Sequence, residues 1–149
     1  PGYPQLREAK STKVKPPKRC ELAEGWHLEV SSSKMNGLKY TRLLEESSRD
    51  RVFVDADRVQ GRLRMRPWKP GDRIQILGMQ GHTKVAELFT NEGIPGPLRA
   101  LWPLVVDEEK IIWIAGVRMA HEARLTEDSN RCIELRLIRP EESGEGSKA

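Results

Sequence analysis

Between Arg62 and Lys84 the 149-residue chain sets six cationic side chains, Arg62, Arg64, Arg66, Lys69, Arg73 and Lys84, against one carboxylate, Asp72. Arg62, Arg64 and Arg66 alternate with Leu63 and Met65. On an extended strand, residues two apart project from one face about 6.5–7 Å from each other. That interval is close to the phosphate repeat of a nucleic-acid strand, so such a row could track a sugar-phosphate backbone. The same pattern suits a solvated strand whose arginine stems cover a sheet, and spacing alone leaves both readings open. Trp68 lies inside the run and could stack on a base. Flanked by Pro67 and Pro70, it reads more naturally as packing.

The other reactive side chains form no constellation. His27, His82 and His121 are scattered, and nucleophilic catalysis needs a nucleophile beside a base. His27 should face the polar side of its strand. Cys20 and Cys132 are too few and too far apart for a zinc site, and two free thiols in a reducing cytosol are expected. Asp55 and Asp57 suit a turn that binds its own backbone. Gly78-Met79-Gln80-Gly81 precedes a helix without the lysine-serine ending of a phosphate loop, so it reads as a chain reversal. No catalytic residue, metal ligand or cofactor-binding residue is therefore expected in this chain.

Composition bounds the rest. Lys and Arg number 26 against 22 for Asp and Glu, a net charge of +4. That is too mild to imply nucleic acid by itself, so the clustering matters more than the total. Hydrophobic residues at 37% permit a core, and charged residues at 32% demand a polar surface. The longest apolar run, Ile111 to Gly116, is too short to span a bilayer. No signal peptide is visible; a cytoplasmic location without membrane contact is expected. The first residue is Pro1, which reads as a piece of a longer chain.

The elements that must position these residues divide the chain into four. Residues 1–19, with six cations against Glu8 from Arg7 to Arg19, read as a basic Pro/Lys-rich linker without regular structure, or as an arm on phosphates. Residues 20–60 read as β-rich. Trp26, Leu28 and Val30 share one strand face, Ser31–Ser33 with Asn36 and Gly37 mark a loop, residues 38–44 are ambiguous between strand and helix, and residues 52–54 form a strand. In residues 61–139 the strand at 62–66 should turn at Pro70-Gly71-Asp72 and return as a hairpin over residues 73–77. A helix capped by Thr83 should bury Val85, Leu88 and Phe89. Pro97 should open a short helix through Leu101. Residues 104–106, 111–115 and 133–137 read as strands, the first two joined by the polar turn 107–110. Residues 140–149 read as an acidic flexible tail. The class is α+β, a short-stranded mixed β-sheet or sandwich with two or three short helices.

The string LRMRPWKPGDRIQILGMQGHTKVAELFTNEGIP, followed by LRALWPLVV and IIWIAGVR, resembles the C-terminal domain of bacterial tRNA(Ile)-lysidine synthetase. It covers about half the chain closely, and residues 20–60 more loosely. The resemblance implies a fold like a module of the phenylalanyl-tRNA synthetase β subunit and recognition of the tRNA acceptor stem. It implies RNA contacts at Arg66, Arg73, Lys84, Arg99 and Arg118, beside Arg62, Arg64 and Lys69 from the basic run. Departures occur where the family carries a second lysine (here Thr83), an arginine (Gly96) and an aspartate (Ala100). The parent enzymes use ATP to adenylate a wobble cytidine, which lysine then attacks to give lysidine. Their S-G-G-x-D-S loop has no counterpart in this chain. Implied partners are tRNA and the parent's catalytic domain, with a homodimer left open. The alternative is a protein-interaction module that packs Trp102, Trp113 and the apolar strands on a partner domain.

Overall fold

The computed structural model describes residues 2–140; the expected acidic tail lies almost wholly outside them. In chain order the elements are β1 (Thr12–Lys13), β2 (Lys18–Glu21), β3 (His27–Lys34), α1 (Gly37–Glu46), β4 (Arg51–Asp55), β5 (Arg64–Pro67), β6 (Arg73–Ile74), β7 (Thr83–Lys84), α2 (Val85–Asn91), β8 (Pro103–Val106), β9 (Ile111–Ile114), β10 (Arg118–Met119) and β11 (Arg131–Ile138). One sheet runs β1-β5-β8-β9-β10, a second β2-β3-β11-β4, and β6 pairs with β7 as a two-stranded ribbon. These named pairings are antiparallel. The α+β class stands, with two α-helices and short strands.

Alternation explains the sheets. In β5 Met65 is buried while Arg64 and Arg66 on the other face are half-buried. In β8 and β9 every residue is buried, as expected for strands with neighbours on both sides and both faces covered. Val85, Leu88 and Phe89 form the buried stripe of α2. Phe89 meets Trp68 edge-on at 5.8 Å and Trp102 at 6.0 Å, contacts each worth about 1 kcal/mol beyond area burial. Trp68 is thus a packing residue.

Several expectations need correction. Residues 1–19 are not a linker: β1 pairs with β5, β2 pairs with β3, and Leu6 and Val14 lie in the core. Leu6 and Val14 are buried while the lysines around them stay exposed, so the core is reached without desolvating a charge. Nor does residue 60 divide the chain, because β11 pairs with both β3 and β4 and one core cluster extends from Leu6 to Leu137. Ser31–Ser33 continue β3 opposite Glu134, Ile133 and Cys132, since the β11 ladder satisfies their backbone. Residues 38–44 are helical, in α1. The Asn36 side chain accepts from the Lys39 N–H, a cap worth about 1 kcal/mol.

The expected hairpin between residues 62–66 and 73–77 does not form. β5 is already paired on both edges, by β1 and β8. β6 pairs instead with β7, and Ile76 bridges to Ala120 beyond β10. Thr83 therefore lies in a strand, and Lys84 occupies the cap position of α2 without a side-chain cap bond. The helix expected at Pro97 is a single 3-10 turn, Gly96–Leu98. His27 is buried, not solvent-facing; Glu21 of β2 and Ile138 of β11 flank it in register. Trp102 and Trp113 are core residues at 2% and 0% exposure, so they supply no face for a partner domain.

Candidate nucleic-acid interface

Strand pairing sorts the basic run into free and committed cations. Arg73 stands directly opposite Lys84 across the β6–β7 ribbon, and both are exposed. Lys13 likewise stands opposite Arg64 across β1 and β5. Like charges directly opposite one another destabilise a ladder, so each pair is a place where an anion would relieve repulsion. Arg64 makes one long bond, 3.4 Å, to the Ser11 hydroxyl. Arg62 and Lys69 are exposed and use their backbone N–H groups, donating to Glu108 at 3.1 Å and Asp72 at 2.9 Å. Among the described residues none of Lys13, Arg62, Arg64, Lys69, Arg73 or Lys84 forms an ion pair.

Three of the expected RNA-binding residues are committed inside the protein. The Arg66 guanidinium donates to both Asp72 carboxylate oxygens, at 2.9 and 3.0 Å, and to the Pro67 carbonyl. Arg99 donates to the Ile94 carbonyl and lies over the Phe89 ring at 5.8 Å, holding the turn after α2. Arg118 meets Glu92 at 2.7 Å, and Arg49 meets the other oxygen of that carboxylate at 2.7 Å. Arg66 braces the loop that carries Lys69, Arg99 holds the turn after α2, and Arg118 ties β10 to the end of that helix. The expected row is therefore broken at Arg66, and the cations without ion pairs flank the break as Lys13, Arg62 and the half-buried Arg64 on one side and Lys69, Arg73 and Lys84 on the other.

Sequence reasoning did not place Lys13 in the sheet, nor Lys15 beside it. Their signal was legible: Lys13-Val14-Lys15 repeats the basic–apolar–basic alternation of β5, and Val14 is fully buried. Of the remaining polar groups, the His121 imidazole accepts from the Gly78 N–H at 3.1 Å. Asp55 accepts from the Asp57 N–H and the Ser129 hydroxyl, the self-bonded turn expected there. Asp107 is held below the ordinary aspartate range. Burial opposes that shift, but the N–H groups of Gln60, Glu109 and Lys110 and the Lys110 ammonium outweigh it. Cys20 and Cys132 are buried free thiols. Burial, opposed by Lys39 and reinforced by Glu134 and Asp55, pushes the Cys132 thiol up to about 11.

Residues 63–137, which contain the β6–β7 ribbon and the bracing arginines, match the family described as the TilS substrate C-terminal domain. The chain belongs to this family. Similar proteins include the tRNA(Ile)-lysidine synthase of Geobacter sulfurreducens, 36% identical over 73 residues, which are 49% of this chain and 16% of that protein. That of Symbiobacterium thermophilum is 33% identical over 98 residues, 64% of this chain and 20% of that protein. That of Bacillus subtilis is 39% identical over 69 residues, 45% and 15%. The chain thus spans a fifth or less of the length of these relatives. A crystal structure of a TilS C-terminal domain superposes with a TM-score of 0.75 at 24% identity, covering 87% of this chain and 95% of the other. That likeness extends to the N-terminal residues outside the family match, and supports the fold alone. Among the described residues no helix is long and apolar enough to cross a membrane.

Proposed function

We propose that this chain is the tRNA-recognition domain of a tRNA(Ile)-lysidine synthase, binding the acceptor stem while a separate ATP-dependent domain of the parent protein modifies the wobble cytidine. The observation that carries this reading is the opposed pair Arg73–Lys84 on an exposed ribbon, neither of which forms an ion pair among the described residues. Double-stranded RNA hides its base edges in a deep, narrow major groove, so phosphates, 2′-hydroxyls and helix shape dominate recognition. A ribbon carrying point charges fits that task better than a side-chain code for bases. Lys69 precedes the ribbon on the Arg66–Asp72 loop, and the Arg64–Lys13 pair extends the positive surface along β5. Residues of the parent outside this chain supply the catalysis.

The test is filter binding of an isoleucine tRNA transcript over a series of salt concentrations. The double variant Arg73→Ala/Lys84→Ala should weaken binding at least tenfold and flatten the salt dependence. Unchanged affinity in a variant that folds normally would defeat the assignment.

A further inference from the structure

A groove of about 520 Å³ opens at the start of β5, where the β1 segment passes close to the beginning of that strand. Its floor is aliphatic, with Val59, Leu63 and Ile133, and its rim carries Lys13, Lys15 and Arg62. No carboxylate lines it, and none of the three rim cations forms an ion pair among the described residues. Glu108, beside the groove at Gly61, is turned to the backbone: it accepts from the Arg62 N–H at 3.1 Å and lies against Gly61. A Cβ at Gly61, whose φ is +78°, would collide with that carboxylate. The volume lies within the range of small-molecule sites. Three uncompensated cations above an apolar floor suit a ligand with a polyanionic end and a flat, weakly polar body.

We infer that this groove binds a nucleoside phosphate, with the phosphate on Lys13, Lys15 and Arg62 and the base on Val59, Leu63 and Ile133. The floor side chains offer no hydrogen-bonding group, so the base is held by area and not by identity. Arg62 continues the direction of Arg64 along β5, two residues before it. A polynucleotide lying along that strand would deliver an unpaired nucleotide into the groove. This source rests on the RNA reading above; the pocket itself does not, because a free nucleotide would present the same chemistry.

The experiment is amide NMR and calorimetry on the whole chain with three kinds of probe. These are adenosine 5′-monophosphate, inorganic phosphate, and RNA duplexes with either blunt ends or a single-stranded overhang. Adenosine monophosphate should shift the amides of Lys13, Lys15, Val59 and Arg62, and bind at least tenfold tighter than inorganic phosphate. Lys15→Glu, on the exposed rim, should lower that affinity tenfold or more without lowering Tm. Val59→Asp should do so with the cations intact, and Arg73→Glu should leave it unchanged. Shifts in the groove with overhang RNA but not blunt RNA identify an unpaired RNA nucleotide as the source. Groove shifts with free nucleotide alone identify a free ligand and remove the RNA source. If blunt duplex binds at Arg73 and Lys84 while nucleotide and overhang both leave the groove silent, the inference falls and the RNA reading stands. Equal binding of phosphate and nucleotide also overturns it, since the floor would then contribute nothing.

Discussion

Asp72 takes both ends of the Arg66 guanidinium, at 2.9 and 3.0 Å, and with the same carboxylate accepts the Lys69 N–H at 2.9 Å. One carboxylate thereby closes the loop between β5 and β6 and fixes where the ribbon begins. Hydrogen bonds to charged groups contribute about 1.5–3 kcal/mol each when partly buried. Asp72→Ala should therefore lower stability by about 2 kcal/mol in urea unfolding. Arg66→Ala should cost a similar amount, and the double variant less than the sum, because the two residues act through one shared interaction.

Arg73 and Lys84 should behave in the opposite way. Replacing either by Ala removes a repulsive cross-strand neighbour, so stability should hold or rise slightly. Affinity for tRNA should fall, and the salt slope should drop by about one for each phosphate that the variant no longer neutralises. Urea titrations and filter binding on the same samples separate these effects from those at Arg66.

Glu92 is the shared partner of Arg49 and Arg118. Glu92→Gln should leave two guanidiniums facing each other and lower the melting temperature. Adding Arg118→Met should restore part of the loss, because it removes one of the stranded charges. A thermal-melt cycle over these variants measures the coupling.

Cys132 supplies a pH dependence whose sign follows from its raised value. The folded state holds the thiol proton up to about pH 11, whereas an unfolded thiol releases it near pH 8.5. The contribution to stability is therefore complete below the unfolded value and is lost as pH rises through the folded one. Urea midpoints should fall between about pH 9 and 11, and Cys132→Ala should show a shallower decline over that range. Thiol-reactive reagents at neutral pH should modify Cys132 only as fast as the chain opens.

Leu6 tests whether the N-terminal segment belongs to the domain. It is 4% exposed, and its N–H donates to the Leu101 carbonyl at 2.7 Å. Leu6→Ala should cost about 3 kcal/mol, as for other buried leucines. A linker residue would cost nothing measurable.

Strong local periodicity was the legible part of this fold. The stripe Val85, Leu88 and Phe89 appears as expected in α2, and Leu63 and Met65 are both buried as their alternation implies, although β5 begins only at Arg64. What was not legible depended on partners distant in sequence. Leu6 carries no pattern of its own and is buried by residues far along the chain. Ser31–Ser33 have loop composition but gain their ladder from β11, about a hundred residues later. The site divides in the same way. Six cations were visible as a cluster, yet nothing local to Arg66 shows that Asp72 returns to it across the loop. Neither does anything near Lys13 show that it will stand beside Arg64.

The position of β11 sets the order in which the second sheet can form. β3 and β4 both pair with it, so each keeps a bare edge until residues 131–138 are available. During synthesis on the ribosome those edges face solvent from the completion of each strand until β11 is made. Unpaired edges of that kind invite association with other chains, and pairings this distant in sequence close slowly. The nascent polypeptide is thus most exposed to aggregation just before Arg131 emerges, and stalling it there should recruit chaperones more strongly than stalling it after Ile138.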